Sequence, residues 1–308
     1  MMKERIIIGT RGSKLALWQA NWVKSSIEAE FKSTKVEIKI IKTKGDKILD
    51  VPLAKVGGKG LFVKEIEDAL LNNSIDMAVH SMKDMPAIVP EGLCIGAVPE
   101  RANSVDVLIS KNGEKFSELS SGARMGTSSL RRSAQLLSAR PDLKILPMRG
   151  NLDTRLKKLE TEDIDAIVLA AAGVKRLGYE SRITEFFDKN FMLPAVGQGA
   201  LCIEIRENDS FIKPVIDFLD HETTRIAVMG ERSFLKRLEG GCQVPIAAWA
   251  VVNKIGFHIT GMVASVDGTR VIRESVSGSV DMAEDTGIEL ANKLISLGAK
   301  NILDNIKI

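Results

Sequence analysis

The stretch Arg124-Met125-Gly126-Thr127-Ser128-Ser129-Leu130-Arg131-Arg132 constrains the fold more than any other. A short apolar approach ends at Gly126. Three hydroxylated residues suited to capping a helix follow, and then a helix-forming run from Leu130 to Ala139. The junction reads as strand, loop and helix start. A helix start offers free backbone N–H groups and a positive dipole end, which together hold anions. Arg131 and Arg132 fall in the first turns, where the dipole disfavours cations, so they need a negative partner. A bound carboxylate or phosphate would supply one. From Arg124 to Arg155 seven Lys/Arg stand against two Asp, a net +5 beside +3 for the whole chain. A charge run is ordinarily a solvated face, but the Gly-Thr-Ser-Ser context favours an anion site.

The pattern recurs. Arg5 to Ile8 reads as a short buried strand ended by Gly9, and Ser13 caps a helix whose apolar face takes Leu15, Trp18, Trp22 and Val23. Leu143 to Met148 is a strand leading into Arg149-Gly150-Asn151-Leu152-Asp153-Thr154-Arg155. Asp153 there trims the local positive field. Val36 to Ile40 alternates as a strand does. The strand Asp76 to Val79 is echoed by Asp165 to Ala172, with Lys175 and Arg176 beyond it. These echoes predict two α/β lobes of similar plan. After a break at Pro99 to Ser104, Val105 to Ile109 begins a new strand–helix series. Phe191 to Gly199 is a crossing segment, and the strand Leu201 to Ile205 after it returns to the first lobe. Phe211 to Leu219 and Glu222 to Leu238 read as helices. Strands Ala247 to Val252, Phe257 to Ala264 and Thr269 to Val276, with an Asp267-Gly268 hairpin signal, form an antiparallel meander before a last helix, Met282 to Leu297. The expected division is a first lobe of residues 1–99 and 200–218, a second lobe of 104–194 and a C-terminal α+β domain of 222–308.

Chemistry concentrates at the strand ends. After Val79 comes His80-Ser81-Met82-Lys83-Asp84-Met85-Pro86. Asp84 is either a turn residue before proline or a lone carboxylate among cations, and His80 reads as a packed residue rather than a base. The polar segment Thr43 to Gly60 carries Lys55 and Lys59 and reads equally as a lid or a plain surface loop. Cys94 and Cys202 lie in apolar strands as small hydrophobes. Cys242 instead follows Gly240-Gly241, where a ligand can approach closely, as a nucleophile or an attachment point. Three cysteines without CxxC spacing and three scattered histidines argue against a disulfide framework or a metal site. The mild net charge and few aromatics argue against nucleic acid. No run is long enough for a membrane helix and the N-terminus has no signal-peptide pattern, so a cytoplasmic protein is expected. Nothing asks for an oligomer, so a monomer is expected.

Taken together, the 80–86 segment, Gly126 to Arg132, Arg149-Gly150-Asn151, Leu193 to Ala200, Glu231-Arg232 and Gly240-Gly241-Cys242-Gln243-Val244-Pro245 closely resemble the porphobilinogen deaminase (hydroxymethylbilane synthase) family over nearly the whole chain. The resemblance implies two lobes like periplasmic binding proteins with an active-site cleft between them, plus a small C-terminal domain with a three-stranded antiparallel sheet. It implies a transferase that joins four porphobilinogen molecules head to tail, releasing ammonia and hydroxymethylbilane. It also implies a dipyrromethane primer held by a thioether to Cys242. Asp84 would be the catalytic carboxylate, steadying the cationic azafulvene-type electrophile and moving protons. Arg11, Ser13, Lys83, Thr127, Ser129, Arg131, Arg132, Arg149, Arg155 and Arg176 would bind the acetate and propionate groups. Gln19, Phe62, Ser81 and Gln198 would lie in the cleft, and Lys55 and Lys59 on a lid. A two-lobed, non-catalytic sensor of small anions is the alternative, but it leaves the Gly-Gly-Cys loop and the third domain unexplained. A nucleic-acid-binding protein ranks below both.

Overall fold

The computed structural model of the chain describes residues 5–47, 60–239 and 244–306. In chain order the elements begin with β1 (Arg5–Thr10), α1 (Lys14–Glu30), β2 (Lys35–Ile40), the single turn α2 (Lys44–Lys47), α3 (Lys64–Leu71), β3 (Met77–Ser81) and β4 (Leu93–Ala97). Next come β5 (Asp106–Ser110), β6 (Arg124–Gly126), α4 (Leu130–Ala139), β7 (Lys144–Leu146), α5 (Leu152–Thr161), β8 (Ala166–Ala170), α6 (Ala171–Arg176) and β9 (Glu185–Phe186). Then follow β10 (Leu201–Arg206), α7 (Lys213–Ile216), α8 (Glu222–Arg237), β11 (Ile246–Asn253), β12 (Gly256–Ala264), β13 (Val271–Gly278), α9 (Ala283–Ser296) and α10 (Ala299–Asp304). The described residues fall into two compact units, one of 5–47, 60–102 and 200–225, the other of 103–199, 226–239 and 244–306.

The first unit is built on a five-stranded sheet of order β2-β1-β3-β10-β4. β2, β1 and β3 run parallel, and β10 is antiparallel to both its neighbours. Ile6, Ile8, Val36, Met77, Val79 and Ile203 form its core with Ala20, Val23 and Ile27 of α1. The buried residues of α1 are Gln19, Ala20, Val23 and Ile27, while Trp18 and Trp22 are more than a third exposed. This corrects the expected Trp face. Positions 20, 23 and 27 share one helical stripe, and 18 and 22 lie off it.

The second unit repeats the plan. Its sheet has the order β7-β6-β8-β5-β9, with β7, β6 and β8 parallel and β5 antiparallel to β8 and β9. The expected echo between the halves is therefore a shared topology: an edge strand, two parallel strands, one antiparallel strand and a last strand. Two expectations are corrected here. Val105 to Ile109 does not open a strand–helix series, because β5 is the antiparallel strand. The strand from Asp165 stops at Ala170, where α6 takes over.

The same unit contains the antiparallel sheet β11-β12-β13. Phe234, Phe257, Ile259, Leu290 and Leu294 form its core with α8 and α9. A second apolar cluster joins Ala134 of α4 and Leu193 to Ala247, Met262 and Ala264 of the sheet. The β12–β13 turn comes so close to α4 that a Cβ on Gly268 would lie 2.4 Å from Ala134 O. The helix expected over Phe211 to Leu219 is broken into α7 and a 3-10 turn at Asp217–Leu219. The start of the expected 43–60 loop is the helical turn α2, and residues 48–59 lie outside the described residues.

Candidate active site

Parallel neighbours release their following loops at the same sheet edge. In the first unit this brings the loop after β1, which holds Arg11 and Ser13, beside the 3-10 turn Met82–Asp84 after β3. Ser13 caps α1 by accepting from Ala16 N at 3.3 Å. Gln19 Nε2 donates to Ser81 Oγ at 2.9 Å, tying α1 to the end of β3. Arg11, Ser13, Gln19, Phe62, Ser81 and Asp84 line one small pocket, together with His80. Lys83 is half-buried on the same turn. The Arg11 guanidinium stacks 4.3 Å above the Phe62 ring centroid and donates through Nε to Asp46 at 3.1 Å. Burial pushes the Asp46 carboxyl up, but Arg11 and Thr43 outweigh burial and hold it below the usual range.

In the second unit β6, β7 and β8 are parallel, so the loops after them share one edge as well. Thr127, Ser128 and Ser129 follow β6, Arg149 follows β7, and Arg176 ends α6 after β8. Ser129 is the residue that caps α4, accepting from Arg132 N at 3.4 Å. Thr127 Oγ1 accepts from Ser129 N at 3.1 Å, and Ser128 Oγ donates to Met148 O at 2.9 Å. Arg155 Nε donates to Gly150 O at 3.0 Å and Arg176 Nη2 to Gly199 O at 3.0 Å. Burial lowers Arg176 to about 10. Asp153, at the first turn of α5, accepts from Tyr179 Oη at 2.7 Å.

The partner of Arg131 and Arg132 comes from within the chain. Both are 5% exposed. Arg131 Nη1 donates to Asp106 Oδ2 at 2.7 Å and to Leu193 O at 2.8 Å. Arg132 donates to Asp106 Oδ1 through Nε at 3.0 Å and Nη2 at 2.7 Å, and to Val168 O through Nη1 at 2.9 Å. Gln198 Nε2 adds a bond to Asp106 Oδ1 at 3.1 Å. Burial pushes Asp106 up, yet the two arginines override it and hold the carboxyl far below its ordinary value. The local charge excess is trimmed elsewhere too: Arg124 pairs with Asp163 and Asp165, and Arg140 with Asp142. Asp106 is a site residue that sequence reasoning missed. Its signal was an acid at the head of an apolar strand. Because β5 is antiparallel to β8, Asp106 pairs with Ala170 and so arrives at the edge where α4 begins.

Two arginines on one carboxylate leave the α4 start with a net positive charge. Arg149, Arg155 and Arg176 add further cations on that side of the same unit. This donor set fits a polycarboxylate such as dipyrromethane, which carries acetate and propionate side chains. Cys242, Lys55 and Lys59 lie outside the described residues.

The fold and its strand-end residues define a class: a mixed α/β protein with repeated, arginine-bearing helix starts suited to carboxylate ligands and, in the first unit, a pocket with one acid among its described lining residues. The family description for porphobilinogen deaminase, dipyromethane cofactor binding domain, matches residues 6–214, and that for the porphobilinogen deaminase C-terminal domain matches residues 225–296. The porphobilinogen deaminase of Carboxydothermus hydrogenoformans is 55% identical over 306 residues, 99% of this chain and 98% of its own. That of Geobacillus sp. is 56% identical over 305 residues, 98% and 97% of the two chains. Among solved structures, the methionine-binding protein MetQ is similar over 70% of this chain and 89% of its own, at 13% identity and a TM-score of 0.44. The chain belongs to the porphobilinogen deaminase family and is an enzyme with a dipyrromethane-binding domain.

Proposed function

We propose that Asp84 is the catalytic carboxylate of this deaminase and that Cys242 carries its dipyrromethane. The enzyme joins four porphobilinogen molecules into hydroxymethylbilane with loss of ammonia. One observation carries the Asp84 assignment: it is the only acidic side chain among the described residues lining the strand-end pocket of the first unit. When ammonia leaves, the substrate becomes a cation, and a single carboxylate held beside pyrrole N–H groups steadies it. Arg11 and Ser13 on the facing loop suit the substrate's acetate and propionate, and Gln19 holds Ser81 in place beside Asp84. Arg131, Arg132, Arg149, Arg155 and Arg176, with Thr127 and Ser129, are assigned to the carboxylates of the bound pyrroles. The cofactor supplies the free pyrrole carbon at which growth begins.

We also infer a cytoplasmic monomer that binds no nucleic acid. Arg124 and Arg140 are each held by an internal carboxylate and Arg131 and Arg132 are almost wholly buried, which leaves little of the basic stretch on the surface to release counterions from a phosphate backbone. Among the described residues no helix is long and apolar enough to cross a membrane.

The test is Asp84→Asn, which keeps the shape and removes the charge. Turnover is expected to fall by about a hundredfold or more, while the purified variant keeps the mass of the attached cofactor. Near-normal turnover would refute the assignment.

A further inference from the structure

Behind the Asp84 pocket lies a cluster of three buried titratable side chains. β10 pairs antiparallel with β3, Glu204 opposite Ala78 and Cys202 opposite His80. Glu204 and His80 are thus diagonal neighbours on one face of the sheet. His80 Nε2 lies 3.1 Å from Glu204 Oε2, and the two residues are 5% and 0% exposed. Glu67, 6% exposed, comes from α3, which packs across β1, β3, β4 and β10. Glu67 Oε1 and Glu204 Oε1 are both buried without a hydrogen-bond partner. Among the described residues no group of three such side chains could hold a metal ion. What two orphaned carboxylate oxygens and an imidazole can share is a proton.

The surroundings bear this out. Burial and then the charge of Glu204 raise Glu67 to about 7; Asp68 adds to this, while His80 and Lys64 oppose it. Arg206 of β10 is committed to Leu70 O and Ile75 O at the end of α3. Cys94 of β4 approaches Arg206 O, and Arg5 of β1 pairs outward with Glu37. None of these is bonded to the Glu67 carboxylate. His80 also lines the pocket that contains Asp84. A hydrogen bond from Nε2–H to Glu204 leaves Nδ1 as the basic atom of the ring.

We propose that His80, Glu204 and Glu67 form a buried proton-holding unit that receives the proton released at each condensation in the Asp84 pocket. The proposal rests on the Asp84 reading above. In each cycle the C–N bond of the substrate's ammonium group breaks, and ammonia leaves with the electron pair. The new C–C bond takes its pair from the pyrrole carbon of the growing chain, and that carbon then loses its proton. Ammonia and one proton are the balance of the step. His80 Nδ1 accepts that proton, and the resulting imidazolium is stabilised by Glu204 and, once ionised, by Glu67. Glu67 and Glu204 act through His80 and are positioning residues.

The experiment compares wild-type holoenzyme with Glu67→Gln. The variant fixes Glu67 in its neutral state, so it should match wild type at about pH 6 and fall behind by roughly threefold or more in kcat at about pH 8, with KM unchanged. Only three histidines occur (80, 221 and 258), so the His80 ring resonances can be assigned by substitution. In wild type they should respond to the ionisation of Glu67 near pH 7, and Glu67→Gln should change that pH dependence. Identical pH profiles and identical His80 resonances in the two proteins would overturn the proposal. Should the variant not fold, wild type labelled at glutamate carboxyls still decides: one carboxyl must ionise near pH 7, and none doing so sinks the idea. The resonances need no turnover, so they separate this proposal from the Asp84 assignment. An Asp84→Asn protein with full activity would refute the latter and leave the spectra unchanged.

Discussion

Asp106 shows how one side chain can decide the state of a site. Its carboxylate takes bonds from Arg131, Arg132 and Gln198 with no exposure to water. Removing one partner of a buried ion cluster leaves the others uncompensated. Asp106→Asn is therefore expected to lose about 3–5 kcal/mol of stability in urea unfolding at neutral pH. The pH dependence follows from sign. The folded carboxyl lies below its unfolded value, so its contribution is complete above about pH 4 and disappears as pH falls toward the folded value. Wild type should thus lose stability in acid faster than the Asn variant, and equal slopes would contradict the assignment. The sequence placed Arg131 and Arg132 in an unfavourable dipole position and asked for a counter-charge. It did not reveal that the counter-charge was 25 residues upstream, because the pairing of β5 with β8 is not written in any local period. Glu204 and His80 were hidden for the same reason, separated by 124 residues.

At the scale of elements, the helix starts were the most legible part of the chain. Ser13 and Ser129 cap α1 and α4 as their sequence context predicts. The β10 return and the C-terminal meander were legible too, since Leu201 to Ile205 is an apolar run after a Gly/Pro crossing and Asp267-Gly268 marks a hairpin. The docking of that hairpin on α4 was not legible. Gly268 has φ +71, and an added Cβ would meet Ala134 O at 2.4 Å and Ser138 N at 2.6 Å, both backbone atoms that cannot swing aside. Gly268→Ala should cost at least about 2 kcal/mol, combining left-handed strain with displacement of the hairpin. Gly113 supplies the control. It has φ +85 with nothing within 4 Å of the added atom, so Gly113→Ala should pay the backbone cost alone, about 1 kcal/mol. Equal losses in the two variants, measured by urea midpoint, would show that the contact with α4 carries no weight.

For the whole molecule, covalent mass is the plainest readout. Protein purified from a host that makes porphobilinogen should be heavier than its polypeptide by two linked pyrroles. Cys242→Ser should lack that increment, whereas Cys94→Ala and Cys202→Ala should keep it. Cys202 is buried and Cys94 is half-buried with burial raising its thiol, neither a setting for attachment. The holoprotein should also melt higher than the Cys242→Ser protein, because the attached pyrroles make their carboxylate contacts only in the folded state. An unmodified wild type would count against the cofactor assignment. The placement of β10 carries a different consequence. It is the inner strand between β3 and β4, yet it is synthesised about a hundred residues after them. On the ribosome, the first sheet must wait with two unmatched strand edges while β5 to β9 emerge in one continuous stretch and can close the second sheet. Domains generally mature from the N-terminus onward, but here the later half of the pair is the first able to finish. The exposed edges of β3 and β4 are then the window in which a nascent chain is open to mispairing.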